Sequence, residues 1–568
     1  MLKNPSQERL RELALKYSTP IFKTHHKNVD KITRFKARSP KYSYIIGTKD
    51  EEPNYSMKTI DPKLAEELIK FQKDYMEKQE ELIQIDGYYG LGEKKVGVRW
   101  IYSLAAANVA AMQQILSFPP DENFEPELIV YYTPELRPQN MPGNVAMIVD
   151  MEKLVTYVIG SDYFGESKKG ALRMLNEYVY QRGGLVLHAG AKVVEIEGKK
   201  TTLAILGLSG TGKTTTTFVK HGDNSWPIQD DMISLWPDGT INITENGCFA
   251  KTFGLKAETE PVIYKGTIDP DAWLENVYMN PDGTLDFSKG ILSPDEVKFY
   301  REAFVETGAD PENVDAYIEG KVKAEEVVDE YGIPKDGWDF VVWTQNGRSV
   351  IPMSKIENVA DFNSIPPLGS IGILNRDEGP DAATPGIVKF VDGKQAAGYF
   401  MLGETSKTSA TGKERGKTRV PFTQPFFPRK NSLQARRFTE LYKVFPNLNL
   451  WMMNTGYVGG DALAEKEGKA LKVKIRHSKA LVEAVLSGKV KWIKDPDFGY
   501  EIPDINAPEN AFLLEQVPKE IIQPKLFFEK QGRLSEYEEW VKRIKKERKE
   551  FLEKHEVDPE IIKAVVSE

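Results

Sequence analysis

Residues 207–214 read Gly-Leu-Ser-Gly-Thr-Gly-Lys-Thr, the spacing G-x-x-x-x-G-K-[ST]. A loop of this composition turns successive backbone N–H groups inward, where they solvate phosphate oxygens at the start of a helix. Gly207, Gly210 and Gly212 let the backbone approach a ligand closely, and Leu208, Ser209, Thr211 and Thr215 complete the run. Lys213 has the reach for β- and γ-phosphates, and the Thr214 hydroxyl can hold the Mg2+ that accompanies a nucleoside triphosphate. A phosphate loop also needs an acid for its metal. Asp230-Asp231 stands ahead of the strand-like run Met232-Ile233-Ser234-Leu235-Trp236 and supplies two.

These groups need elements to hold them. The apolar run 202–206 (TLAIL) predicts the strand that delivers the loop, and 213–219 predicts a helix after it. Segments 126–136, 145–149 and 154–160 read as strands. Leu172, Leu175, Tyr178 and Val179 give 168–181 a helical period, and 185–196 reads as a strand pair before a turn at 197–200. Strands and helices alternate, so the fold class is α/β. One boundary is expected near residue 200, with a substrate-binding N-terminal lobe at 1–200 and a phosphate-loop lobe at 201–568. The acidic, helical stretch 286–343 reads as a surface insertion, and 535–555 as an amphipathic helix at the edge of the protein.

Composition narrows the function classes. The chain has 568 residues, enough for two to four domains. Seventy-six Lys and Arg against 84 Asp and Glu give a formal charge of −8, which argues against nucleic acid as the main partner. One Cys excludes an internal disulfide framework and a Cys-based zinc site and fits a reducing compartment. Histidine chemistry must draw on His25, His26, His188, His221, His477 and His555. The most apolar long run, 101–118, is interrupted by Asn108, Gln113 and Gln114 and reads as a buried helix, so no membrane span and a cytoplasmic setting are expected.

The loop GLSGTGKTT closely resembles that of ATP-dependent phosphoenolpyruvate carboxykinases, and further segments match in the same order. They are RSPK at 38–41, Tyr163-Phe164-Gly165-Glu166-Ser167-Lys168-Lys169-Gly170, LHAGAKV around His188, Asp230-Asp231 and Cys248-Phe249-Ala250-Lys251-Thr252. Glu260-Pro261-Val262-Ile263-Tyr264, NGRSVIP around Arg348, the lid-like 398–416, Asn454-Thr455-Gly456-Tyr457 and KIRHSKALVEAVLSG at 474–488 follow. The resemblance spans about 30–500 and implies a two-lobed fold with the active site in the cleft. It implies conversion of oxaloacetate and ATP to phosphoenolpyruvate, ADP and CO2. Relatives that use GTP carry a cysteine in the phosphate loop. Here the one Cys, Cys248, lies elsewhere, which implies ATP.

The resemblance also implies roles for individual residues. Arg38 and Arg348 grip the oxaloacetate carboxylates, Tyr163 helps seat carboxylate or CO2, and Lys168, Lys169, Lys213 and Lys251 serve the reaction. Lys169, His188 and Asp231 bind a transition metal, usually Mn2+, and Thr214 holds Mg2+ with ATP. A lysine ligand must be deprotonated, since an ammonium has no lone pair. Glu260, Lys472 and Ser478 join the loop in binding nucleotide. Lys472 replaces the family's usual arginine, and DDMISLW lacks its usual His-Gly. A related phosphate-loop kinase of another small acid, or a non-catalytic nucleotide-binding protein, are the alternatives. A monomer or small homo-oligomer is expected.

Overall fold

The computed structural model describes residues 1–568 except 209, 330–331, 408–415, 423–425, 446 and 568. The chain forms two compact units, each assembled from separated stretches. The first comprises 1–178, 242–357 and 425–428, and the second 179–241, 358–424 and 429–568. The chain therefore passes from one unit to the other several times, where the sequence reading places one boundary near 200.

The first unit is built on an eight-stranded mixed sheet. Its order is Leu2–Lys3, Leu82–Tyr89, Val96–Ser103, Leu128–Thr133, Val155–Ile159, Ala146–Asp150, Ser43–Ile46 and Lys58–Ile60. The three strands expected within 126–160 are present: 126–136 and 154–160 are trimmed to Leu128–Thr133 and Val155–Ile159, and 145–149 is shifted by one residue to Ala146–Asp150. Residues 101–118 divide differently from expectation. Residues 101–103 finish the strand Val96–Ser103, a short 3-10 turn follows, and only Ala107–Leu116 is α-helix. The β-branched residues ahead of Ser103 favour a strand, whereas the alanine-rich part favours a helix. Among the described residues no helix is long and apolar enough to cross a membrane.

A second sheet of this unit carries several of the predicted site residues. Its order is Gly247–Lys251, Arg348–Pro352, Trp273–Glu275, Val29–Lys31 and Ile21–Lys23. The antiparallel register sets Lys251 opposite Arg348, and Arg348 opposite Glu275 on the other side. Stretch 286–343 contains the helices Pro294–Phe299, Arg301–Glu306, Pro311–Ile318 and Ala324–Val327. It is more than a surface addition. Leu292, Val297, Phe304, Val314, Phe340 and Trp343 form a dry core with Ile32 and Tyr278, while the acidic residues face solvent. Burying such side chains contributes roughly 1.5–3 kcal/mol each.

The second unit holds another eight-stranded sheet. The order is Asn224–Gln229, Ala189–Ile196, Lys199–Gly207, Leu368–Asn375, Asn449–Asn454, Ile387–Lys389, Glu501–Pro503 and Trp492–Lys494. The three central strands are parallel. They read as near-continuous apolar runs, as strands covered on both faces must. Helix Ile475–Ser487 covers part of this sheet through Leu481 and Val485 against Leu203, Ile205, Trp451 and Met453. Helix Leu534–Lys554 coincides with the expected 535–555, and its apolar stripe includes the buried Trp540 and Ile544.

Candidate functional site

The phosphate loop belongs to the second unit and follows the central strand Lys199–Gly207. Gly212 has φ +92° at the head of helix Lys213–Phe218, a conformation that costs a side-chain-bearing residue about 1–2 kcal/mol. This turn points the first free N–H groups of the helix back toward the loop. Thr455 Oγ1 donates to Thr211 O at 2.8 Å and ties the loop to the end of strand Asn449–Asn454, two places along the sheet.

The two aspartates separate into two settings. Thr214 Oγ1 donates to Asp230 Oδ2 at 2.6 Å. Asp231 Oδ1 instead lies 3.3 Å from His188 Nε2, both side chains about one-fifth exposed. His188 Nδ1 lies 3.1 Å from Phe422 O. A carbonyl there accepts a hydrogen bond from Nδ1–H and so leaves the Nε2 lone pair on the side of Asp231, the arrangement that orients metal-ligating histidines. Among the described residues no three His, Cys, Asp or Glu gather around one point. A nitrogen and a carboxylate oxygen at this spacing nevertheless fit two adjacent positions on a divalent ion that takes mixed N/O ligands.

Beside the loop lies a cavity of about 470 Å³, lined partly by Gly210, Gly212, Thr215, Lys472 and Ser478. That volume suits a nucleotide-sized ligand. Lys472 sits over the Tyr457 ring at 4.0 Å, and burial followed by repulsion from Arg376 lowers its pKa. Among the predicted nucleotide contacts, Ser209 lies outside the described residues, while Lys251 and Glu260 belong to the first unit. Residues 408–415 of the expected lid also lie outside the described residues. Its flanks form the paired strands Glu404–Lys407 and Gly416–Arg419.

The first unit gathers cations on aromatic rings. Lys169 Nζ lies 4.2 Å and Arg38 Cζ 4.7 Å from the Phe426 centroid. Arg348 lies 5.6 Å and Lys168 5.0 Å from the Phe249 centroid. Ring faces attract cations without neutralising them. Lys169 projects from helix Phe164–Gln181, which starts four residues earlier than its periodicity indicates. Gly165 is required there, because a Cβ would come within 2.4 Å of the Tyr163 ring. Tyr163 is buried, and Asn346 Nδ2 lies 3.5 Å from its hydroxyl. Burial raises the Tyr163 pKa, with Arg348 opposing the rise. Lys251 shifts the other way, its pKa lowered by burial and by the like charge of Arg348.

Lys168 Nζ lies 2.8 Å from Glu245 Oε1 and 3.0 Å from Oε2, with both side chains about 2% exposed. Sequence reasoning gave no signal for Glu245, for the buried Arg173 beside Glu166 and Arg38, or for Arg376, which lines the nucleotide cavity. Their partners are distant in the chain or of a type common on surfaces.

A family model described as phosphoenolpyruvate carboxykinase matches residues 1–318 and 334–509. The match therefore runs through most of 286–343, which corrects the reading of that whole stretch as an insertion and leaves 319–333 as its unmatched part. Proteins named phosphoenolpyruvate carboxykinase (ATP) from Staphylococcus aureus strains RF122, MSSA476 and Newman are each 26% identical over 546 residues, covering 92% of this chain and 88% of theirs. With the matched residues extending through both units, the chain belongs to the phosphoenolpyruvate carboxykinase family.

Proposed function

We propose that the protein converts oxaloacetate and ATP to phosphoenolpyruvate, ADP and CO2, reversibly, with a divalent metal. Support comes from the family match and from one feature of the second unit. Thr214 meets Asp230, while the adjacent Asp231 faces His188. A simple phosphate-loop kinase needs the first pair and has no use for the second.

The residue roles follow from charge and shape. Arg38 and Arg348 present planar guanidinium forks that match the two carboxylates of oxaloacetate. Loss of CO2 leaves a pyruvate enolate, whose negative charge needs cations fixed in advance. Arg348 and Lys251, opposite each other in register, provide them. Tyr163 keeps its proton across the physiological range and donates a hydrogen bond to a carboxylate oxygen or orients CO2. Lys213 and the loop N–H groups hold the phosphates while the enolate oxygen attacks the γ-phosphorus. Gly207, Leu208, Gly210, Thr211, Gly212, Thr215, Lys472 and Ser478 complete nucleotide binding, and Glu260 is assigned to the ribose or a lysine near it.

His188 and Asp231 are assigned to a transition metal, Mn2+ by preference, with Lys169 as the further nitrogen ligand and Thr214 at Mg2+. Such ions supply Lewis acidity toward phosphoryl and enolate oxygens when bound. Lys168 serves by holding Glu245 and shaping the helix that carries Lys169. The deciding experiment incubates the pure protein with oxaloacetate, ATP, Mg2+ and Mn2+ and measures phosphoenolpyruvate. Absence of product with ATP and every other common nucleotide would refute the proposal. ATP-dependent phosphorylation of a different small acid would favour the kinase alternative.

A further inference from the structure

The family match ends at residue 509, but the chain continues through the helices Leu534–Lys554 and Pro559–Val566. Helix Leu534–Lys554 carries an arginine at a position where its burial pattern calls for an apolar residue. Arg548 is 1% exposed. Its Nη2 donates to Glu404 Oε1 at 2.8 Å and its Nε to Glu404 Oε2 at 3.1 Å, a two-pronged fork on a buried carboxylate. Its Nη1 donates to Tyr399 Oη at 2.8 Å. Arg419 Nε adds a 2.7 Å bond to Glu404, and Lys417 Nζ lies 3.6 Å away. Burial would raise the Glu404 pKa, but Arg548, then Lys417 and Arg419, bring it well below the usual carboxylate range. Replacing a buried ion pair with apolar side chains often costs nothing, so the pair is weak evidence for a purely stabilising role.

What Glu404 holds leads to the nucleotide cavity. It begins the strand Glu404–Lys407. Two residues along, Ser406 N donates to Arg376 O at 2.7 Å, and Ser406 Oγ accepts from Glu378 N at 3.0 Å. Arg376 follows the strand Leu368–Asn375, the parallel neighbour of the strand that delivers the phosphate loop. Its Nε and Nη2 bond Glu378 Oε2 at 3.2 and 2.9 Å. Its Nη1 lies 3.5 Å from Gly210 O, and the side chain lines the cavity beside the loop. Glu378 engages one edge of the guanidinium. The Nη1 edge keeps N–H groups directed to the loop, where an anionic ligand belongs.

We propose that Arg376 is a binding residue for a phosphate oxygen of the nucleotide, and that Arg548 is its positioning residue, acting through Glu404 and the strand to Ser406. The segment beyond the family match thereby sets nucleotide affinity. The inference rests on the nucleotide-binding reading above, and direct binding measurements test it without turnover.

The test uses the full chain. ATP affinity is measured by calorimetry, and KM for ATP and for oxaloacetate by steady-state assay, in Arg376→Ala, Arg548→Lys, Glu404→Gln and the double variant Arg376→Ala with Arg548→Lys. Arg376→Ala should weaken ATP binding about ten-fold, the loss expected for one charge-assisted contact. Arg548→Lys keeps the charge but loses the fork, and should weaken ATP binding in the same direction by a smaller factor, with the oxaloacetate KM unchanged. The double variant should bind ATP no more weakly than Arg376→Ala alone. If Arg548→Lys does not fold, Glu404→Gln interrogates the same link with its shape preserved. Unchanged ATP affinity in Arg376→Ala would overturn the proposal. So would multiplicative effects in the double variant, or a lowered melting temperature in Arg548→Lys with both KM values intact. Failure of the unaltered protein to make phosphoenolpyruvate while binding ATP would overturn the reaction alone.

Discussion

Replacing Lys168 with Met tests whether this lysine serves structure or substrate. Its ammonium and the Glu245 carboxylate are both about 2% exposed, and the contacts are 2.8 and 3.0 Å. Removing one member of such a pair leaves a buried charge without its counterion, which costs about 3–5 kcal/mol. The first unit has roughly 300 residues. With an unfolding entropy near 2.1 cal/mol/K per residue, that loss corresponds to a fall of about 5–8 °C in the melting temperature of the unit. Lys168→Met combined with Glu245→Leu removes both charges and should recover most of it, because a well-packed apolar replacement of a buried pair is about neutral. The assay is thermal unfolding followed by circular dichroism, read beside phosphoenolpyruvate formation. An unaltered melting temperature in Lys168→Met, or no recovery in the double variant, would refute the structural role. A double variant that is stable but inactive would place Lys168 on the substrate.

The remaining predictions concern the metal and the cationic strands. Lys169→Met should abolish stimulation by Mn2+ while leaving ATP affinity unchanged by calorimetry, and equal loss of both would contradict the role assigned to Lys169. His188→Ala and Asp231→Asn should each weaken Mn2+ binding by at least about ten-fold, followed by electron paramagnetic resonance titration, without altering ATP affinity. Lys251 needs its proton to meet phosphate or enolate charge. Because burial and Arg348 lower its pKa, it loses that proton at a lower pH than an ordinary lysine. The rate should therefore begin to fall on the alkaline side below the usual lysine range. Lys251→Arg, with a guanidinium that stays charged, should move that limb upward. A limb unmoved by this substitution would count against Lys251.

Local features were legible and distant ones were not. The phosphate loop could be read because its seven spacings lie in one turn and its neighbouring strand is a plain apolar run. Helix Phe164–Gln181 could be read from Leu172, Leu175 and Val179, but its start could not. Phe164 and Gly165 join the helix through the packing of Gly165 on the Tyr163 ring, which periodicity does not encode. Asp230-Asp231 could be recognised as acidic, but its division between Thr214 and His188 depends on the junction of strands Leu185–Leu187 and Ala189–Ile196, which holds His188 and is separated from it by the whole phosphate loop. Glu245 meets Lys168 across 77 residues and Arg548 meets Glu404 across 144. A lysine-rich helix such as 534–554 gives no reason to single out one arginine as buried. The acidic content of 286–343 suggested a solvated addition, and the apolar residues at helical spacing beneath those charges were the signal that was outweighed.

Buried carboxylates and aromatic rings hold the cations of this protein in physically different ways. Lys168 and Arg548 are held by buried carboxylates, so their fields are largely cancelled within a few ångströms. Arg38 and Lys169 share the Phe426 ring, and Arg348 lies over Phe249. A ring quadrupole fixes a cation in place and shields it from water on one side, yet carries no net charge with which to cancel it. A ring contact, unlike a carboxylate, need not be displaced before a dicarboxylate binds, so it does not subtract from transition-state stabilisation. The net charge of −8 conceals this arrangement. The rings help to place Arg38, Lys169 and Arg348, and the variants Phe426→Leu and Phe249→Leu should weaken oxaloacetate binding more than ATP binding. Steady-state KM values for the two substrates measure this, and an equal loss for both would show that the rings act only as packing.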